Sequence, residues 1–391
     1  MRTITFSALA LLANCVTLVG CATETAQQLP YYNEPGVRGE SRPQSEPQQV
    51  VEEEAPFEGT RDPSGVRQPG KVAIASGAGI ASSLTADAIY FYSVIDADGV
   101  TKLIRVNRTT RQNTVLAKGD LAPQLHATSD ALYFGQGATV GAHAFTGLRK
   151  FDPSSKIVMP LTDFQLLPRT TVFDDVSVLD RAAYFLSNDT VMYVKNDGGT
   201  FDVAATVDVP LGPAEAAGKK LIRLASDVDN FFLLRQDGVV VQRARASSKT
   251  QVVLGLDTLG ATFDARSLDL NLSMSAQIAS DEKTLAVLVK GPSRQDAKQM
   301  VSAVYRCEKG EVATCARFGV GTYEGIAVHK NAVYTAMATG TSVDVIRTDG
   351  VSTPSVVGTL PYAGQQLYVD ASGVYTMNSV DNRYALYGMT P

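Results

Sequence analysis

Asp87-Ala88-Ile89-Tyr90-Phe91 is the stretch on which the fold turns. A turn residue precedes a small residue, an apolar one, an aromatic and a further apolar position, and the pattern returns. It reads Asp130-Ala131-Leu132-Tyr133-Phe134, then Arg181-Ala182-Ala183-Tyr184-Phe185, then Asp229-Asn230-Phe231-Phe232-Leu233. A weaker copy stands at Lys283-Thr284-Leu285-Ala286-Val287, and two more at Asn331-Ala332-Val333-Tyr334-Thr335 and Ser372-Gly373-Val374-Tyr375-Thr376. The aromatic positions, from Tyr90 to Tyr375, are spaced by 43, 51, 48, 54, 48 and 41 residues. Self-similarity at such a period marks a repeat architecture, in which each unit buries its apolar face against its neighbours.

A short strand precedes the copies at a fixed offset. Eight residues before the aromatic stand Leu125, Val176, Leu224, Ile278, Ile326 and Leu367, followed by small side chains such as Ala127, Ser177 and Ala225. One or two further strands follow each copy, for example Leu103-Ile104-Arg105-Val106 and Thr114-Val115-Leu116. From residue 71 on, Asp outnumbers Glu 26 to 5. Asp favours turns and Glu favours helix interiors, so the ratio points to an all-β chain. The units resemble the blades of β-propeller repeat proteins over residues 71–391, with a slim first strand to crowd around the axis. No named subfamily is matched: Trp-Asp signatures are missing, and no Gly-Gly doublet recurs from unit to unit as in kelch blades. The resemblance implies a fold and no activity. Seven blades are expected, with six or eight the alternatives because the fifth unit is irregular. A pair of β-sandwiches is the rival fold. The last unit lacks a fourth strand, and Lys71 to Ala75 offers a spare one that would close the ring.

The N-terminus carries an address. After Arg2, the stretch Ile4–Val19 is mostly apolar and uncharged, and it ends in Leu18-Val19-Gly20-Cys21. These four residues resemble a bacterial lipobox, which implies residues 1–20 as a signal peptide and Cys21 as a lipidated first mature residue. Two or three acyl chains, palmitate among them, would anchor the chain to a membrane where one would not. Ala22 follows Cys21, where the enterobacterial sorting rule reserves Asp for the inner membrane, so an outer-membrane destination is expected, facing the periplasm or the surface. Residues 21–70 read as a disordered tether: residues 22–70 hold seven prolines and nine acidic against four basic residues, too polar to offset the cost of ordering. As a flexible chain they would reach about 40 Å.

Net charge is −5 over 391 residues, with 45% hydrophobic and 19% charged residues. That balance supports a sizeable core and argues against a nucleic-acid footprint. Cys307 and Cys315 are the cysteines of the folded part, and an exported chain meets an oxidising compartment. A structural disulfide is expected, with a loop wider than a two-residue turn at Lys309-Gly310. His126, His143 and His329 have no partners at ligand spacing, so no metal and no cofactor are expected. Asp96-Ala97-Asp98-Gly99 lacks the rest of a calcium loop and reads as a hairpin. Ser280-Asp281-Glu282-Lys283 matches a Ser-x-x-Lys pattern but falls in a turn.

What remains is loop geometry. The long connections are Pro160–Asp175 and Gly255–Ser275. The first carries Phe164, Arg169, Phe173, Asp174 and Asp175, and the second Phe263, Asp264 and Arg266. Long loops on a rigid scaffold are where binding residues concentrate, which makes these the candidate ligand face. Asp174 and Asp175 are adjacent, and strand geometry would point them to opposite faces. The expectation is a monomeric, non-catalytic binding or scaffold lipoprotein that contacts an envelope protein or glycan. The alternative is a propeller hydrolase or lyase acting on a polysaccharide.

Overall fold

The computed structural model describes residues 48–49, 53–54, 73–140, 143–161, 172–179, 182–187, 190–195, 202–206, 221–247, 249–265, 267–270, 276–310, 314–340, 342–350, 352–361 and 366–389. The chain divides into Met1–Arg42, which lies outside the described residues together with Cys21, and Pro43–Pro391.

Pro43–Pro391 is a succession of antiparallel sheets. Sheet I is ten-stranded. Sheets II to VI have four strands each. Sheet II is built on Val172–Leu179, sheet III on Leu221–Ser226, sheet IV on Ala276–Ser280, sheet V on Tyr323–His329 and sheet VI on Gln366–Asp370. In sheets II to V each strand pairs with the next in sequence. In sheet VI the fourth strand is Ala73–Ala78, which lies beside Arg383–Met389. A strand that precedes the first repeat thus completes the last sheet. Gly79 then turns the chain into sheet I at φ +116°, where a Cβ would meet the Asp96 carbonyl oxygen at 2.7 Å.

The apolar clusters explain why the sheets form a ring. Tyr133, Leu148 and Leu161 of sheet I pack against Ala183, Phe185 and Val194 of sheet II. Sheets II and III meet through Tyr184, Leu186, Leu224 and Phe231. Sheets III and IV share the largest cluster, centred on Phe232, Val241, Val287 and Tyr305. Sheets IV and V meet at Leu288 and Tyr323, and sheets V and VI at Tyr334 and Tyr387. Finally Met377 and Tyr384 of sheet VI pack on Phe91 and Ile104 of sheet I, which closes the circle. Each sheet buries both faces against neighbours, the arrangement of a β-propeller.

The structure corrects the blade count drawn from the repeat. Five sheets are separate and four-stranded, not seven; the first two copies of the repeat share sheet I. The cause is Asn113–Ala127, fifteen residues long. Its first half pairs with Val100–Asn107 and its second half with Leu132–Val140, without a break between them. A second correction concerns the first copy. Asp87 N–H donates to the Tyr90 carbonyl, just as Thr128 does to Ala131, Asp227 to Asn230 and Asp281 to Thr284. Two residues beyond these acceptors stand Tyr92, Tyr133, Phe232 and Ala286. The repeat aromatic of the first unit is therefore Tyr92, buried to 1% exposure, and not Tyr90. Leu84 then falls at the missing offset of eight.

The irregular fifth copy has Ala286 at the aromatic position, and Tyr323 reaches in from sheet V to the same cluster. Two dipeptides of the segment read as a tether are strands: Gln48–Gln49 pairs with Val158 and Ile157, and Glu53–Glu54 with Val115 and Thr114. The rest of residues 21–70 lies outside the described residues. Among the described residues no helix is long and apolar enough to cross a membrane.

Candidate functional site

The structure separates the expected ligand-face residues. Phe164, Arg169 and Arg266 lie outside the described residues. Phe173, Asp174 and Asp175 belong to the strand Val172–Leu179, not to the loop before it. Its register against Ala182–Ser187 shifts between Val172 and Val176. Comparable shifts occur near the start of the first strands of sheets III and V. The second connection is a packed element. It contains a short helix, Leu256–Leu259, and Leu259, Phe263, Leu268 and Leu270 are buried in the cluster between sheets III and IV. Phe263 is 1% exposed and serves that core. Asp264 Oδ2 accepts from the Ser267 hydroxyl at 2.6 Å, a local turn contact.

What the structure builds instead is a recurring clamp at the inter-sheet junctions. A carboxylate opens the turn after the first strand. Asp87 Oδ1 accepts the Ile89 and Tyr90 N–H groups, Asp227 Oδ1 those of Asp229 and Asn230, and Asp281 Oδ1 those of Lys283 and Thr284. Opposite that turn the third strand delivers a basic residue. The backbone N–H groups of Arg108, Arg245 and Lys309 donate to Ile89, Asp229 and Lys283 respectively, so the three are equivalent by register.

Each cation reaches over the repeat aromatic of the preceding sheet. Arg108 lies 5.1 Å from the Tyr375 ring centroid and 4.6 Å from that of Phe91. Arg245 lies 5.0 Å from Tyr184, and Lys309 Nζ lies 4.9 Å from Phe232. Stacking a cation on a ring face lets it leave water without losing all its electrostatic stabilisation. The polar ends are also met. Arg108 Nη2 donates to Asp370 Oδ2 at 2.6 Å and Ser372 Oγ at 2.9 Å, and Nη1 to the Asp87 carbonyl at 2.7 Å. Arg245 Nη2 donates to the Tyr184 hydroxyl at 2.6 Å. Lys309 Nζ donates to the Asp281 carbonyl at 2.6 Å and stands 3.2 Å from Asp227 Oδ2.

The electrostatics follow from this. Burial alone would raise the Asp370 carboxyl, but hydrogen bonds from Ser372 and Arg108 outweigh it and hold its pKa below the usual value. Burial alone would lower Arg108, and its bonds to Asp370 and Tyr375 raise it instead. Burial, then the bond its hydroxyl donates to Asp87, pushes the Tyr92 phenol well up. His126, on the second half of Asn113–Ala127, is lowered to about 4 by burial. These groups are fixed in one charge state near neutrality.

The first strands are cross-linked around the axis as well. Ser177 and Ser226 hydroxyls lie 2.6 Å apart between sheets II and III. Arg223 Nε donates to the Ala276 carbonyl at 3.2 Å, and Gln277 both donates to the Glu324 carbonyl and accepts from Ile326 N–H. Gln366 Nε2 donates to the Ser82 carbonyl at 2.9 Å across the closure. A cavity of about 410 Å³ opens beside the Arg245 clamp, lined by Val228, Asp229, Arg245, Ser247, Lys249 and Gly310. Cys307 and Cys315 are directly opposed on neighbouring strands of sheet IV and joined by a disulfide. Glu308 pairs with Thr314 just above it, so the connecting loop is wider than a two-residue turn. Among the described residues no three His, Cys, Asp or Glu side chains come together as a metal would need.

The clamps escaped the sequence reading because their spacing is irregular. The basic residue follows the true repeat aromatic by 16, 13 and 23 residues in the three units, since the hairpin between second and third strands varies in length. The turn Asp would have been the usable signal.

No family model matches the chain, and no curated protein matches it. Solved structures do. The β-propeller domain of Cps50 (Swd1) from Myceliophteria thermophila superposes with a TM-score of 0.53 at 10% identity, over 80% of this chain and 98% of that one. BamB from Moraxella catarrhalis covers 88% of this chain and 100% of its own at 12% identity, with a TM-score of 0.43. The β-propeller domain of the Trilobed protease from Pyrococcus furiosus gives 0.47 at 10% identity, over 80% and 95%. What the chain shares with the Swd1 domain is the β-propeller fold.

Proposed function

We propose that this protein is a non-catalytic binding or scaffold module, anchored to the outer membrane through lipid on Cys21 and presenting its propeller to an envelope protein or glycan. The observation that carries the reading is how the charged groups are used. Asp87, Asp227, Asp281 and Asp370 accept turn backbone N–H groups, and Arg108, Arg245 and Lys309 bridge the sheets. Their chemistry is spent on rigidity, which lowers the entropic cost of docking a partner. The near-neutral globular part, with 30 basic and 31 acidic residues beyond residue 70, fits recognition by shape more than by charge.

The test is affinity capture with the full chain, tagged at its C-terminus and crosslinked in intact envelopes, with a Cys21→Ala chain in parallel. A saturable protein or glycan partner lost with Cys21→Ala supports the reading. Turnover of a polysaccharide by the purified chain would replace it with the hydrolase or lyase alternative.

A further inference from the structure

The cavity of about 410 Å³ lies at the junction of sheets III and IV, and three segments supply its walls. Val228 and Asp229 come from the turn after Leu221–Ser226. Ser247 and Lys249 come from the connection after Val240–Ala244, and Gly310 reaches across from sheet IV. Pockets of roughly 300–1,000 Å³ take small ligands. The floor is a fixed relay of amides. Gln242 is buried. Its Nε2 donates to Asn230 Oδ1 at 3.0 Å and to the Gly310 carbonyl at 3.2 Å, while its Oε1 accepts from Gln251 Nε2 at 3.0 Å. Arg245 is held in the wall by the Tyr184 hydroxyl and the Val228 carbonyl. The groups above this floor are used differently. Asp229, Ser247 and Lys249 are exposed, and among the described residues their side chains meet no hydrogen-bond or ionic partner. Arg245 N–H donates to the Asp229 carbonyl and Ala244 N–H to the Lys249 carbonyl. Asp229 and Lys249 are therefore two strand spacings apart, about 10 Å, on opposite walls.

We propose that this cavity is a carbohydrate site and that its ligand is an acidic sugar, a hexuronic-acid unit of a glycan. The idea rests on the binding-module reading and deepens it by naming the site and the class of ligand. Arg245 and Lys249 give the lining two cations against the one carboxylate of Asp229, which selects a ligand that brings a negative charge. The Lys249 ammonium offers three donors to a carboxylate, in charge-assisted hydrogen bonds. At the opposite wall an ionised Asp229 only accepts, so the ligand must present donors there. Ring hydroxyls do so, whereas a phosphate or a second carboxylate would be repelled. Ser247 can donate or accept. Val228 is 68% exposed, and with Ala246 it offers apolar surface on which the C–H face of a sugar ring leaves water. A charge at one end, hydroxyls at the other and an apolar face between them is the chemistry of a uronic acid.

The test is isothermal titration calorimetry of the full chain with a disaccharide of glucuronic acid and galactose as the probe. Its methyl ester, which keeps every hydroxyl and loses the charge, and tri-glutamate are the comparisons. Saturable binding of the acid is expected, with the ester about tenfold weaker. Lys249→Met should abolish the difference between acid and ester, and Asp229→Asn should weaken both forms. Lys298→Met, which changes an exposed lysine outside the cavity, should bind as the unaltered chain does. All three variants alter exposed side chains, so each should keep its thermal transition. Absence of saturable binding, equal affinity for acid and ester, or an acid–ester difference that survives Lys249→Met overturns the proposal. So does tri-glutamate binding as tightly as the disaccharide. A protein partner found by envelope capture would leave these outcomes unchanged, so the two ideas fall separately.

Discussion

Removing the clamp at the ring closure, Arg108→Met, is the perturbation with the clearest consequence. Methionine keeps much of the apolar stem over Phe91 and Tyr375 while deleting the charge and all donors. The Arg108 and Asp370 side chains are 14% and 20% exposed, so the pair is mostly out of water. A net charge-assisted hydrogen bond contributes about 1.5–3 kcal/mol and a cation over a ring about 0.5–1 kcal/mol. These terms overlap, and the remaining exposure screens them, so the expected loss is about 3 kcal/mol. For the roughly 270 described residues the unfolding entropy is near 0.6 kcal/mol/K, so the melting temperature should fall by about 5 °C.

The internal comparison is Arg347→Met. Arg347 sits 3.9 Å from Asp349 with both side chains about a third exposed or more (41% and 31%), and its loss should cost less than about 0.5 kcal/mol. Differential scanning calorimetry gives both shifts. Hydrogen exchange should also quicken first in Ala73–Ala78 and Arg383–Met389, the strands at the closure. If Arg108→Met melts no lower than Arg347→Met, the clamp does not hold the ring and the reasoning fails.

Other expectations follow from the same structure. Reducing the Cys307–Cys315 bridge, with a sequence separation of 8, should cost about 2–3 kcal/mol on the chain-entropy model, read as a shift of the urea midpoint with and without dithiothreitol. His126 titrates near 6.5 when unfolded and at about 4 when folded, so the unfolded chain binds more protons between those values. Stability should therefore be full above pH 6.5 and fall, by up to about 3 kcal/mol, as pH drops to 4. His126→Phe should flatten that part of the pH profile, and an unchanged slope would count against it. Phe263→Ala should destabilise by about 3–5 kcal/mol in thermal unfolding. Intact stability with loss of partner capture would instead return Phe263 to the ligand face.

Legibility in the sequence was uneven for physical reasons. The repeat was visible because a buried strand flanked by two sheets must carry large apolar residues at a fixed distance from its turn, as Tyr133, Phe232 and Tyr375 do. The closing strand was visible because the last unit ran one strand short. The misplacement of Tyr90 for Tyr92 came from reading Asp87 and Asp130 as equivalent, when Asp87 opens its turn and Asp130 stands inside the one opened by Thr128. The division of sheets was hidden because nothing local distinguishes a strand that ends at residue 119 from one that runs on to Ala127. Phe263, expected on a ligand face, is packed in the core between sheets III and IV, since a long connection can fold back and fill a core as readily as it can face solvent.

By itself the sequence determined the class of structure: Asp-rich turns, alternating apolar strands and a constant offset admit few folds other than a ring of sheets. Local rules suffice for that, because turn chemistry and side-chain alternation act over a few residues. Only the tertiary structure decided which charges meet. Arg108 and Asp370 are 262 residues apart in the chain and 2.6 Å apart in space. That contact depends on ring closure and on hairpin lengths that vary from unit to unit, and neither leaves a periodic trace in the sequence.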